Sequence, residues 1–288
     1  MNYNNFNKFQ LGIIISLCFI LLGCQSKSTG TVENKQSENT YAKYSAFFDK
    51  IPSNTEGGII KKAIIQAGGW DTWMAKKALR FVKITTTYDS TGKVTKVSKS
   101  LNEYNLFPNF SGRTTWEDKG KKYIVINNGQ QVWKLEDGKV MTDEQNKNAA
   151  WNSSFGTHYV ICMPFKLADA GVIPKFEGEI ALPEGKKVNS LKITYKEGVG
   201  SSALFHKWWY YFDPKTHDMV ANFLDHGKGY TYTVYDAFTE VGGIKINKSR
   251  RSYKSDATMS KILLESKYDN EDIQFVDSFP ASYFELPK

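Results

Sequence analysis

Trp208-Trp209-Tyr210-Tyr211-Phe212-Asp213-Pro214-Lys215-Thr216, followed by Met219–Leu224, is the stretch on which the fold turns. Successive side chains of a strand point to opposite faces of its sheet. A strand that is aromatic at every position therefore buries one face in a core and offers the other to helices, a ligand or a partner. Asp213-Pro214-Lys215-Thr216 reads as a turn, since proline presets φ and the aspartate can bond to its own downstream backbone. Lys207–Asp213 and Met219–Leu224 thus pair as a hairpin. The next strand is more ordinary: Tyr230, Tyr232 and Val234 alternate with Thr231 and Thr233 in a one-sided pattern.

The same texture extends in both directions. Upstream lie Leu79–Tyr88, Val94–Leu101, Arg113–Glu117, Lys122–Asn127, Gln131–Glu136, Phe176–Leu182 and Val188–Tyr195, and downstream lie Ile244–Tyr253 and Thr258–Tyr268. Asn128-Gly129 signals a tight hairpin in which both central residues take positive φ, and Asp137-Gly138 is a second such turn. About ten or eleven strands joined by short turns make an antiparallel meander. Helical spacing appears in three places. Ile59, Ile60, Ala63, Ile64 and Ala67 run into Gly68-Gly69, which suits a C-cap. Asp71 can cap a second helix carrying Trp73, Met74, Ala78 and Leu79, with Trp70 at the corner. Thr142 and Gln145 have capping-box spacing and open a helix towards Trp151. Phe155–Gly171, interrupted at Pro164, reads as a broken helix that covers something. The class is α+β: a large curved antiparallel sheet, an incomplete β-barrel, with inserted helices covering its concave face.

The N-terminus has a different character. Leu11–Gly23 is almost wholly apolar behind Lys8, and its roughly 13 residues are too short to span a ~30 Å hydrocarbon core, so it reads as a secretory signal. Leu21-Leu22-Gly23-Cys24 resembles the lipobox of bacterial lipoproteins. That resemblance implies cleavage before Cys24 and acylation of its thiol, with two or three chains making a stable anchor. Gln25–Thr40 is polar and unpatterned, a tether rather than a folded segment. The expected organisation is residues 1–23 as signal, 24–40 as lipidated cysteine and tether, and 41–288 as one domain. Gln25, where an aspartate would mark inner-membrane retention, leans towards the outer membrane, with the domain facing periplasm or cell surface.

Composition narrows the function classes. Of three cysteines only Cys162 would remain free in the mature chain, so neither a disulfide nor a thiolate zinc site is open to it. Cys162 lies in an apolar run and reads as an inert buried thiol. The formal charge of +8 is spread along strands; the run Lys245, Lys248, Arg250, Arg251 and Lys254 reads as a solvated edge or a contact with anionic lipid rather than a nucleic-acid patch. Phosphate loops, HExxH, CxxC and GxSxG are absent. Extending the register of the Pro214 hairpin sets His206 opposite Asp225 and beside His226. Two imidazoles and a carboxylate could bind a metal or run acid–base chemistry, although exposed polar residues at a hairpin end explain them as well. His158 reads as structural.

The layout resembles the lipoprotein carrier fold shared by LolA, LolB and related periplasmic lipoproteins. The resemblance rests on Val132-Trp133-Lys134-Leu135-Glu136-Asp137-Gly138, on Tyr211–Thr216, and on Ala67-Gly68-Gly69 with Trp73 at the opening, and it covers Ile59–Leu286. It implies that acyl chains or other apolar molecules sit between the concave face and the helices. On that reading Trp133, Trp208, Trp209, Tyr211, Phe223 and Tyr232 line a ligand site. For the tryptophan pair, core filling and a sugar-stacking platform stay open beside it. The expected function is a non-catalytic, membrane-anchored envelope lipoprotein that binds a lipid or other hydrophobic ligand and needs no cofactor or nucleic acid. The alternatives are an envelope hydrolase or metal-dependent enzyme at His206, Asp225 and His226, and a structural lipoprotein whose aromatic surface is an interface.

Overall fold

The structure, a computed structural model, describes residues 51, 54–196 and 206–287. The signal, Cys24 and the tether lie outside the described residues.

Strands dominate. β1 (Ala78–Tyr88), β2 (Val94–Asn105), β3 (Ser111–Asp118), β4 (Lys121–Asn127), β5 (Val132–Glu136) and β6 (Lys139–Val140) form one meander. β7 (Val172–Ala181), β8 (Lys187–Tyr195), β9 (Lys207–Phe212), β10 (Met219–Asp225), β11 (Tyr230–Val241), β12 (Ile244–Ser255) and β13 (Leu263–Val276) form another. The first and last strands pair with each other, Ala78 opposite Val276. The two meanders thereby fuse into one open antiparallel sheet of 13 strands among the described residues, in the order β6-β5-β4-β3-β2-β1-β13-β12-β11-β10-β9-β8-β7. The sheet class is the expected one, with more strands than ten or eleven. β6 follows the Asp137-Gly138 turn and is only two residues long, too short to show a period.

Helix α1 (Thr55–Gln66) starts where Asn54 accepts a hydrogen bond from the Gly57 N–H, and it ends at Ala67. Gly68 and Gly69 both have positive φ, and the Gly69 N–H bonds back to the Ile64 carbonyl. Gly68 is required twice over: a Cβ there would lie 2.1 Å from the Gly243 carbonyl oxygen, inside any contact distance. Helix α2 is shorter than expected, Trp70–Met74. Ala78 and Leu79 belong to β1, because burial against the sheet overrides their helical preference. Helix α3 (Glu144–Ile161) is capped by Asp143, not Thr142: its carboxylate accepts from the Asn146 N–H. A cis Met163-Pro164 bond and a 3-10 turn, Phe165–Ala168, follow it. The chain between Val140 and Val172 crosses from one edge strand of the sheet to the other. Asn128 is not in the positive-φ region; only Gly129 is. The turn is wider, closed by Asn128 N–H to Gln131 carbonyl, with the Asn128 side chain accepting from Gln130 and Gln131. Among the described residues no helix is long and apolar enough to cross a membrane.

The main core lies on the helix-covered, concave face. Trp73 stacks on Phe165 at 4.5 Å beside Leu79, Phe81, Tyr104, Leu191, Ile193, Tyr210 and Phe212. Two smaller clusters lie on the outward face. One joins Leu182, Val188, Tyr211, Ala221, Phe223 and Tyr232. The other holds Ile124, Ile126 and Leu135 under Phe284, so the C-terminal segment wraps the back of β4 and β5.

Candidate functional site

Strand alternation divides the aromatic run of β9. Trp208, Tyr210 and Phe212 belong to the concave core, while Trp209 and Tyr211 belong to the outward cluster. The expectation that one face of this strand meets the core and the other something else holds in that form.

Helices α1 and α2 cover only one end of the concave face. Along β1 the burial falls off after Phe81, and from Val82 to Tyr88 every residue is half-buried. At that boundary the concave face turns polar. Lys83 lies opposite Asn270 on β13, Arg250 lies opposite Tyr268 and Tyr235, and Asn222 donates to the Tyr235 hydroxyl at 2.9 Å. Lys83 Nζ donates to Thr157 Oγ1 of α3 at 3.1 Å. The Arg250 guanidinium sits 4.5 Å from the Tyr268 ring centroid, and Lys83 Nζ is 5.8 Å from the same ring. Arg250 is only 8% exposed and Asn270 only 2%. The Asn270 Nδ2 donates to the Asn247 carbonyl, but its Oδ1 has no partner.

These cations strain the electrostatics. Burial, then the nearby Arg250 charge, lowers the Lys83 ammonium to about 8. Burial also lowers Arg250, and the groups that oppose this are the tyrosines Tyr235 and Tyr268. No carboxylate among the described residues contributes at either cation. The reading of Lys245–Lys254 as a solvated edge holds for Lys248, Arg251 and Lys254, which are exposed, but β12 is an interior strand and Arg250 is one of its buried residues.

The outward face carries an open groove of about 410 Å³. Trp209, Tyr211, Phe223 and Tyr230 form its floor, with Phe223 and Tyr230 stacked at 5.4 Å. The Trp209 indole N–H donates to Glu177 at 2.8 Å, and Lys192 lies over its ring. The Tyr211 hydroxyl donates to Met259 Sδ. The charged rim includes Lys207 and Asp225, 3.7 Å apart.

The six expected ligand residues do not converge. Trp208 is alone on the concave side, near Tyr159 and stacked on Tyr210. Trp209, Tyr211 and Phe223 meet in the outward groove. Tyr232 is buried in the same cluster and donates to Glu184. Trp133 packs in the cluster under Phe284. The polar belt of Lys83, Arg250, Tyr268 and Asn270 escaped the sequence reading. One signal was available: Arg250 and Arg251 are neighbours in a strand, so they point to opposite faces of the sheet and one of them shares the face of the core.

The histidine register is corrected by one residue. A β-bulge between Met219 and Ala221 shifts the pairing, so Asp225 faces Lys207, not His206. Burial lowers the His206 pKa, helped by the His226 charge and opposed by Asp225, so the three are within electrostatic reach. Even so, no three His, Cys, Asp or Glu side chains among the described residues are placed to hold a metal. His158 packs 4.2 Å from Phe110 and 5.4 Å from Tyr104, and burial lowers its pKa well below the usual value. Cys162 is buried, with its thiol pushed up to about 12 by desolvation.

Residues 50–278 match the model of a family described as "Family of unknown function (DUF6503)". The chain belongs to that family. No curated protein matches the chain. Solved structures show the fold. A DUF1329 family protein from Desulfovibrio piger is 11% identical, covers 81% of this chain and 98% of its own, and superposes with a TM-score of 0.51. A domain from Vibrio parahaemolyticus described as an outer membrane lipoprotein-sorting protein is 7% identical. It covers 79% of this chain and 95% of its own, also at a TM-score of 0.51. A LolA superfamily protein from Nitrosomonas europaea is 10% identical over 81% of this chain and 98% of its own, at 0.48. The DUF6503 chain thus has the fold its sequence resembled, that of the lipoprotein carriers.

Proposed function

We propose that this chain is an envelope lipoprotein that binds a hydrophobic or amphipathic molecule, without catalysis, between the concave face of its sheet and α3. It is held at a membrane, in our reading the outer one, by acyl groups on Cys24, with residues 41–288 as one domain. The observation that carries the proposal is the uneven attachment of α3. Its last turns are anchored by His158, Tyr159 and Ile161, whereas its earlier turns bury only Ala150 and Ser154. Ser154 accepts one hydrogen bond from Asn127, and Trp151 of the same half is 46% exposed. A helix half held by so little apolar area opens at low cost; Phe110 packs against its Phe155, and Tyr195 and Trp208, beside Tyr159 at the anchored end, are only partly buried. The likeness to a lipoprotein-sorting domain supports the same reading.

Hydrogen exchange tests it. The amides of residues 147–155 should exchange faster than those of 158–161, and a bound fatty acid or hydrophobic dye should slow them. A stripped protein that takes up neither would end the proposal. Incorporation of labelled palmitate, abolished by Cys24→Ser, tests the anchor separately.

A further inference from the structure

Lys83 and Arg250 are the least explained residues of the molecule. Moving a cation out of water costs several kcal/mol unless an opposite charge or a full set of acceptors compensates. Among the described residues Lys83 uses one of its three donors, on Thr157, and Arg250 uses one of its five, a 3.4 Å contact to Asn247 Oδ1. The ring of Tyr268, shared by both, offsets part of the cost. The carboxylates that flank Asn270 in sequence are turned elsewhere: Asp269 accepts from Ser249 and pairs with Lys267 at 3.0 Å, and Glu271 is exposed. Two cations without a counterion, gathered where the helical cover ends, make a built place for an anionic group that is not part of the chain.

We infer that the ligand carries an anionic group, a carboxylate or a phosphate, which sits between Lys83 Nζ and the Arg250 guanidinium beside the Tyr268 ring. This deepens the reading of a hydrophobic ligand and rests on it: the apolar chain runs from the belt along the concave wall under α3, towards Tyr195 and Trp208. Such a ligand is an acidic amphiphile, a fatty acid or an anionic lipid, rather than a neutral apolar molecule. The partial exposure of Lys83 leaves a way in from the open half of the sheet, and the deeper Arg250 supplies a fork that suits two anionic oxygens.

Calorimetric titration of the full chain with laurate, dodecanol and inorganic phosphate tests the assignment. Laurate should bind at least about tenfold more tightly than dodecanol, since a charge-assisted hydrogen bond exceeds a neutral one by that order. Lys83→Met and Arg250→Met should each bring the two affinities together by weakening laurate alone, and the thermal midpoint of the empty protein should not fall. The charge-retaining Lys83→Arg should keep the preference, which guards against a variant that misfolds. Equal binding of laurate and dodecanol to the unaltered chain would remove the anion site while leaving the hydrophobic reading intact. Binding of neither would remove both. Inorganic phosphate binding as tightly as laurate would assign the pair to a free anion and overturn the amphiphile.

Discussion

Arg250 and Arg251 are neighbours on one strand and live under opposite rules. Arg251 points outward and grips Asp236 with two nitrogens, at 2.9 and 2.6 Å. Other outward cations follow suit: Lys261 pairs with Glu184 at 3.0 Å and Lys186 with Asp213 at 2.9 Å. Arg250 points inward, 8% exposed, with a tyrosine ring and an amide for company. These outward cations find carboxylates within the chain; the inward pair leaves a positive surplus under cover. Where a folded chain closes its own ion pairs the charges serve solubility and modest stability, and where it leaves buried cations unmatched, something outside the chain is the natural counterion.

Four measurements break or sharpen this contrast. The largest effect concerns the cover itself. Trp73, 4% exposed and stacked on Phe165, ties the helices to the concave face, so Trp73→Ala should cost about 3–5 kcal/mol in urea unfolding. Trp209, the half-buried floor of the outward groove, should cost roughly a third of that when truncated, because water already reaches its ring. Equal losses would show that the two faces are packed alike. Next, Asn270→Asp places a carboxylate opposite Lys83 and gives the concave face the counterion it lacks. The new charge replaces the amide's donation to the Asn247 carbonyl, and laurate affinity should drop at least about tenfold; an unchanged affinity would contradict the account.

The third measurement follows pH. Lys83 titrates at about 8 in the fold and near ~10.4 unfolded, so between these values the unfolded chain binds more protons. Stability from this group therefore rises with pH across that window. Below pH 8 Lys83→Met should be the more stable protein, and its advantage should shrink by pH 10. The groups facing Lys83 there are Arg250 from β12, Tyr268 and Asn270 from β13 and Thr157 from α3. A gap that widens with pH would reverse the sign and end the argument. The smallest effect belongs to the outward face: Arg251→Ala should cost under about 1 kcal/mol and leave laurate binding unchanged.

The meander and its hairpins were legible because alternation and turn chemistry act locally. Pro214, Gly227 and Gly242 announce their turns whatever lies around them. Strand ends in the middle of the sheet were not. Asp269-Asn270-Glu271-Asp272 looks like the close of a strand, yet β13 runs through it to Val276, because β1 pairs with it as far as Ala78 opposite Val276. The bulge after Met219 left no mark in the sequence and moved Asp225 by one partner. Aromatic residue type points to the outward groove and to the core clusters, not to the polar belt. The polar belt depends on cross-strand neighbours such as Lys83 and Asn270, 187 positions apart by their numbers, which no local pattern reports.

That pairing of β1 with β13 also sets a schedule. The earliest strand from the ribosome acquires its second neighbour only when nearly the last one has been made. Until then β1 has a bare edge, the concave belt has a missing wall, and the loop to be closed spans most of the polypeptide, which makes spontaneous completion slow. A chain organised this way stays loose through most of its synthesis and closes only after β13 has been made. Shortening it before Val276 should therefore yield aggregation-prone material rather than a smaller working protein.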